Sequence, residues 1–358
     1  MSDRVPLSLV GDYARRVEKL GYDVLHVPET IHDSITVSIL ALQSTTRLRV
    51  QSSLTLAFPR SPMLLALQAW DASATSGGRF DLGLATQIRQ NIEGRFGVAW
   101  SDPLRRMEDY VTVVRAIWKS FSDGSPLNIR TASYTIHRLQ PFFNPGPLTH
   151  DAPRILLGGV NPRAIELAGR CADWFVTHPT NSHPRFVRER VSPVIDGVKR
   201  TISDPLRIIT ASPLITGPTA TDVDRSRESQ RAVLAFLFST PAYQRSLEMF
   251  GWPDLGPRLR GMTRAGDWSS LATLMSDDVL DTLLPTGTWD EMPDILNEWY
   301  SGLVTASWCN RPRIRNTTID FERSSSASGT SSLVRVERSR SRNSRATPRR
   351  RRSAPRME

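Results

Sequence analysis

The chain has 358 residues, 39% of them hydrophobic and 23% charged, with a formal net charge of +10. That length can bury a large core, since about 250 residues already suffice for one β/α barrel. No run of 18 apolar residues occurs, so no membrane span is expected, and Met1-Ser2-Asp3-Arg4-Val5-Pro6 lacks the apolar centre of a secretory signal, which points to the cytoplasm.

The positive charge suggests nucleic acid until it is located. Between Cys309 and Glu358 fourteen arginines face four acidic residues, which accounts for all of it and leaves residues 1–308 neutral. Clustered arginines attract phosphates without sequence preference, but no aromatic residue follows Phe321 to stack on bases, so no specific nucleic-acid partner is expected. Cys171 and Cys309 fit no metal or redox spacing and read as unpaired thiols; no metal-ligand pattern appears elsewhere.

In chain order, Val10, Tyr13, Val17 and Leu20 recur at helical spacing over residues 7–20, with Gly21 as the stop. Val24 to Val27 is a strand, a helix follows, and Leu48 to Ala57 is the next strand. Ser61-Pro62 opens a helix, serine as cap and proline at the first position. Gly77-Gly78 turns the chain into a strand over Phe80 to Leu84, whose large side chains alternate with smaller ones. Asp102-Pro103 starts a long helix with an apolar stripe of Leu104, Met107, Val111, Val114 and Trp118. A strand-helix-strand unit spans Arg154 to His178, with Asn161-Pro162 opening its helix, and Arg207 to Ile215 is a further strand. This alternation argues for parallel strands wrapped by helices. Residues 216–290, interrupted by Pro, Gly, Asp and Trp252, Trp268 and Trp289, read as an insertion, and Thr288 to Tyr300 as a last helix.

Ser76 through Thr86, Gly21 through Glu29, Leu48 through Met63, Arg106 through Tyr110, Pro153 through Gly159, Ala168 through Asp173 and His178-Pro179 together resemble the luciferase-like monooxygenase superfamily over residues 8–304. The likeness is to its actinobacterial, coenzyme F420-dependent branch. It implies an α/β (β/α)8 TIM barrel, a flavin-type ring lying across the carboxyl ends of the strands, and a homodimer.

Carried over residue by residue, the resemblance implies catalytic roles for His32 and Glu29, just past the family's second strand. An imidazole suits proton transfer because its ordinary pKa lies near neutrality. Ser53, Leu54 and Thr55 match the family's third strand, where the resemblance implies a non-proline cis peptide at Ser53-Leu54 behind the ring. Thr86, Gln87 and Asn91 match cofactor contacts, and their amides and hydroxyl suit a pyrimidine edge. Gly158, Gly159 and Val160 join a strand to a helix start, where free backbone N–H groups favour an anion; the family places the cofactor's phosphate-bearing arm there. This loop is not a GxGxxG fingerprint, so a Rossmann assignment fails on spacing. His137, His150 and His183 read as surface residues.

Three departures bear on function. Only Met1 to Pro6 precede the first helix, where the family has a strand. Past Val304 the composition shifts to Arg, Ser, Pro and Thr, so the barrel is expected to be incomplete at strands one and eight, opening one seam. Residues 309–358 are expected to be a disordered tail, of the kind a shifted reading frame produces. Trp174 stands where the family has glycine, and its indole is expected to crowd the barrel interior. The leading expectation is an F420-dependent oxidoreductase that moves a hydride to or from a small organic substrate. An FMN-dependent monooxygenase is the alternative, and an inactive, truncated barrel a third.

Overall fold

The computed structural model describes residues 1, 5–309 and 332–334. Strands β1 (Val24–Val27), β2 (Arg49–Ser52), β3 (Thr55–Leu56), β4 (Phe80–Ala85), β5 (Ile155–Gly158), β6 (Trp174–Val176) and β7 (Arg207–Thr210) alternate with helices. The helices are α1 (Val10–Lys19), α2 (Ser34–Gln43), α3 (Pro62–Ser76), α4 (Pro103–Asp123) and α5 (Pro162–Cys171). Their starts follow the local chemistry: the side chains of Asp33, Ser61, Asp102 and Asn161 each accept a hydrogen bond from a first-turn N–H. Gly21 and Gly77, at φ of 85° and 65°, end α1 and α3 in the left-handed region that glycine adopts without penalty.

The sheet runs β2-β1-β9-β8-β7-β6-β5-β4-β3, where β8 is Ala306–Cys309 and β9 is Ser332–Val334, and β2 also pairs with β4. The ladder therefore returns on itself. Every pairing from β1 through β2, β4, β5, β6 and β7 to β8 is parallel; β9 runs antiparallel between β8 and β1. One face of the strands packs against the helices through Leu25, Val50, Phe80, Leu82 and Phe175. The opposite face holds Leu156, Trp174, Val176, Ile209 and Ala211 with Val24 and Leu54, the filling of the barrel.

Among the described residues the position of strand one holds no parallel strand, as expected. The vacancy expected at position eight is not there. Thr305 N donates to Ile208 O at 2.9 Å, and β8 pairs with β7 through Ala306↔Ile209 and Ser307↔Thr210. The edge of β7 carries backbone groups that need partners, and the segment after α7 (Met292–Tyr300) reaches them before the composition changes. The remaining place is shared by β9, against Val24 and Leu25, and by buried Met1, whose amino group donates to His26 O at 2.6 Å. The open, aggregation-prone seam that both losses would have made is thus spanned. Apart from Cys309, which ends β8, and Ser332–Val334, the expectation of a disordered tail over 309–358 lies outside the described residues.

Two predicted strands divide. Leu48 to Ala57 breaks into β2 and β3 at a cis peptide between Ser53 and Leu54, the position the family likeness implied. Arg207 to Ile215 separates because Ile215–Gly217 leaves the barrel to pair in parallel with Thr286–Thr288. Around that pair, α6 (Ala220–Phe238), Leu255–Arg264 and Asp277–Leu283 bury a cluster of their own, including Leu234, Phe238, Leu259 and Leu280. No described helix is long and apolar enough to cross a membrane.

Candidate functional site

Parallel strands bring all their carboxyl ends to one rim, and the candidate catalytic and cofactor-binding residues lie at those ends or in the segments that follow them. The register fixes neighbours: Val27 opposes Ser52, Leu56 opposes Ala85, Leu84 opposes Leu157, and Gly158 opposes Val176. Ser53, Thr86, Gln87, Gly158 and Gly159 thus follow one another around the mouth.

Glu29 is held. Its carboxylate accepts from Arg60 Nη1 at 2.8 Å, from Ser34 Oγ at 2.8 Å and from the Leu56 N–H at 3.3 Å. Arg60 also pairs with Asp33, and Ser34 reaches Thr55 Oγ1 at 2.8 Å. Burial alone would raise the Asp33 carboxyl; hydrogen bonds from Thr36 and Arg60 outweigh it and hold the group below its ordinary value. This network locks the loop after β1 to the loop after β3.

His32, beside it, is half-buried and has no side-chain partner among the described residues, and the same is true of Ser53, Thr86 and Asn91. Half-buried polar groups without partners are donors and acceptors in reserve. Gln87 has a φ of 59°, a left-handed conformation rare outside glycine, and its Oε1 accepts from the Ile88 N–H at 2.9 Å. Backbone strain of this kind gathers at ligand sites.

The glycines serve packing first. A Cβ on Gly83 would lie 2.0 Å from Ser52 O and 2.6 Å from Leu54 Cδ2, and one on Gly158 would lie 2.9 Å from Leu54 Cδ1. Leu54 therefore projects across β4 and β5 into the barrel, and both glycines make its room. Gly159 has a different neighbour: a Cβ there would meet Ala164 of α5 at 2.5 Å. Behind Val160 opens a cavity of about 430 Å³ lined by Pro162, Phe186, Arg190, Arg245 and Met249.

Several contacts at the rim carried no sequence signal. Asn181 donates from Nδ2 to Gly159 O at 3.3 Å and accepts the His178 N–H at 2.6 Å, tying the loop after β6 to the loop after β5. The His178 ring stacks on Tyr243 of the insertion, centroids 4.3 Å apart, and burial pushes its pKa down to about 4. His183, expected at the surface, instead packs against Phe250 and Trp299 and is likewise pushed down to about 4 by burial. A lone histidine gives no clue to partners more than 60 residues away. Cys171 is buried, donates to Leu167 O at 3.3 Å, and is pushed up to about 12 by burial, an inert thiol.

Trp174 does not crowd the rim. It opens β6 at the amino-terminal end, opposite Arg207, whose guanidinium lies 5.2 Å from the ring centroid. The indole fills the floor of the barrel, with Leu54, Leu156, Val176 and Ile209 in the same interior cluster.

The sequence profile of the luciferase-like monooxygenase family matches residues 2–306. The chain belongs to this family. An uncharacterized protein of Mycobacterium tuberculosis H37Rv is 32% identical over 83% of this chain and 88% of its own length. The 5,10-methylenetetrahydromethanopterin reductase of Archaeoglobus fulgidus is 24% identical over 82% of this chain and 86% of its own. The solved coenzyme F420-dependent tetrahydromethanopterin reductase of Methanopyrus kandleri shares the fold at a TM-score of 0.66 and 15% identity, covering 82% of this chain and 86% of that one. Another solved chain of this fold, a Baeyer–Villiger monooxygenase component, is in complex with FMN. The family's relatives are thus oxidoreductases and monooxygenases that work with F420 or FMN.

Proposed function

We propose that this chain is an oxidoreductase that moves a hydride between a small organic substrate and coenzyme F420, held across the carboxyl rim. The observation that carries this reading is the set of half-buried, unengaged polar groups of His32, Ser53, Thr86 and Asn91 around one mouth. A flat heteroaromatic ring with alternating donors and acceptors fits such a rim, so the residues present suit the group. When bound, the deazaflavin would supply the hydride chemistry. The protein's own work is positional. Ser53, Leu54 and Thr55 form the wall behind the ring; Thr86, Gln87 and Asn91 meet its polar edge. Gly158, Gly159 and Val160, with the start of α5 and the cations Arg190 and Arg245 behind Val160, favour an anionic arm.

His32 is the group placed to hold or move a proton at its imidazole nitrogens. Glu29, its oxygens taken by Arg60, Ser34 and the Leu56 amide, holds the loop that carries His32 rather than exchanging protons itself. F420 is preferred over FMN because the likeness to a methanopterin reductase extends through the sequence as well as the fold. The FMN-dependent monooxygenase reading rests on the same rim and on the family's own description.

Reconstitution tests the proposal directly. F420 at about 100 times its Kd should stabilise the protein by about 2.7 kcal/mol, and bound F420 and FMN are told apart by their absorption. His32→Asn should retain binding and lower turnover by about 10²- to 10⁴-fold. A larger thermal shift with FMN would move the assignment to the second reading. No shift with either would leave the barrel an inactive scaffold.

A further inference from the structure

The opposite end of the barrel holds a second cavity, of about 420 Å³, lined by Glu18, Tyr22, Asp23, Arg47, Arg49, Gln51, Arg154, Trp174, Arg207 and others at the amino-terminal ends of the strands. Its volume lies in the range of small-molecule sites, about 300–1,000 Å³. Alternation along the strands explains its composition. Gln51 and Arg49 lie two apart on β2 and both reach Asp81: Gln51 Nε2 at 2.8 Å from Oδ2, Arg49 Nη2 at 2.9 Å from Oδ1. Arg154 and Arg207 hold the matching positions just before Leu156 and Ile209, two interior residues.

Three features make this more than a solvated basic patch. Trp174 is 8% exposed, and its Nε1–H has no acceptor among the described residues. Gln51 is 1% exposed, and its Oε1 has no donor among the described residues although its Nε2 is satisfied by Asp81. Leaving such groups unpaired costs about 1–3 kcal/mol each. Finally, the guanidinium groups of Arg47, Arg154 and Arg207 have no ion-pair partner among the described residues, whereas Arg49 is committed to Asp81 and Gly78 O. The acids on the wall are Glu18, which caps the amides of Thr46, Arg47 and Leu48, and Asp23.

We propose that this floor cavity is a binding site for a small phosphorylated polyol, separate from the rim. Its phosphate would take Arg154, Arg207 and the Trp174 N–H, and a hydroxyl would donate to Gln51 Oε1. The cations and the indole call for an anion, and the amide oxygen calls for a hydroxyl donor; a phosphorylated polyol carries both on separate groups, whereas dianionic inorganic phosphate must offer its single P–OH to fill the second role. The interior layer of Leu54, Leu156, Val176 and Ile209 stands between floor and rim, so the two sites load independently.

Calorimetric titration of the full chain with inorganic phosphate and with glycerol 3-phosphate tests this. Both should bind, the ester more tightly. The double variant Arg154→Gln/Arg207→Gln alters exposed side chains and should keep its unliganded melting temperature while losing at least about tenfold in affinity. Trp174→Phe, which keeps an aromatic ring and removes the N–H, should weaken both ligands several-fold. Arg258→Gln/Arg264→Gln, exposed arginines of the insertion, should leave both affinities unchanged. The proposal is overturned if the wild type binds neither ligand, if the floor double variant binds as the wild type does, or if Arg258→Gln/Arg264→Gln weakens binding as much as the floor double variant.

Discussion

The two ends of the barrel are built from opposite materials. At the carboxyl rim the charges are spent: Arg60 is committed to Glu29 and Asp33, and what remains available is neutral and half-buried. At the floor Arg47, Arg154 and Arg207 have no ion-pair partner among the described residues, while Arg49 and Gln51 are anchored through Asp81. On the two proposals the rim would take a flat ring, with its cations set aside behind Val160, and the floor a compact anion. One closed sheet separates two electrostatic environments because its described strands, β9 apart, all point the same way.

The largest test of this contrast is Arg60→Ala. Its side chain is 16% exposed and that of Glu29 9%, so the substitution strands a largely buried carboxylate and should cost about 3 kcal/mol. For a chain of this size that is a fall in Tm of about 4–5 °C. Arg154→Ala at the floor should cost under about 0.5 kcal/mol. Equal melting temperatures for the two variants would erase the distinction.

Next comes the interior between the ends. Gly83→Ala drives a methyl against the Ser52 carbonyl, which cannot move aside, and should cost about 2–3 kcal/mol by denaturant titration. Gly158→Ala meets the end of the Leu54 side chain at 2.9 Å and, less closely, the Val176 carbonyl at 3.3 Å, and should cost about 1 kcal/mol. Adding Leu54→Ala should make the pair less damaging than the sum of its parts. Strict additivity would mean that Leu54 does not lie over Gly158.

The last test is the pH dependence. His178 and His183 are neutral when folded, with pKa values pushed to about 4, while an unfolded histidine protonates near 6.5. Between those values the unfolded chain binds more protons, so stability should decline as pH falls from about 6.5 toward about 4. Melting curves across that interval should flatten in His178→Gln. An unchanged slope would mean that the ring stacked on Tyr243 is not held neutral.

Much of the barrel was legible in advance. The caps Ser61, Asp102 and Asn161, the turn at Gly77-Gly78 and the strands at Val24–Val27 and Phe80–Ala85 are local matters, settled by backbone preferences within a few residues. The carboxyl-end placement of His32, Ser53, Thr86 and Gly158 followed from strand direction. What could not be read was anything that joins distant segments. Arg60 holding Glu29 across 31 residues, Asn181 reaching back to Gly159, and His178 stacking on Tyr243 leave no periodic trace.

By itself the sequence determined which segments are strands and helices, in what order they come, and that their polar residues gather where strands end, because those depend on pattern and neighbouring residues. The tertiary structure alone decided that Ala306–Cys309 and Ser332–Val334 complete the ladder, that Trp174 lies at the floor, and that Leu54 occupies the space of two missing β-carbons. Backbone hydrogen bonds at a strand edge and volume inside a barrel must be satisfied by whatever residues arrive there, however far along the chain they come from.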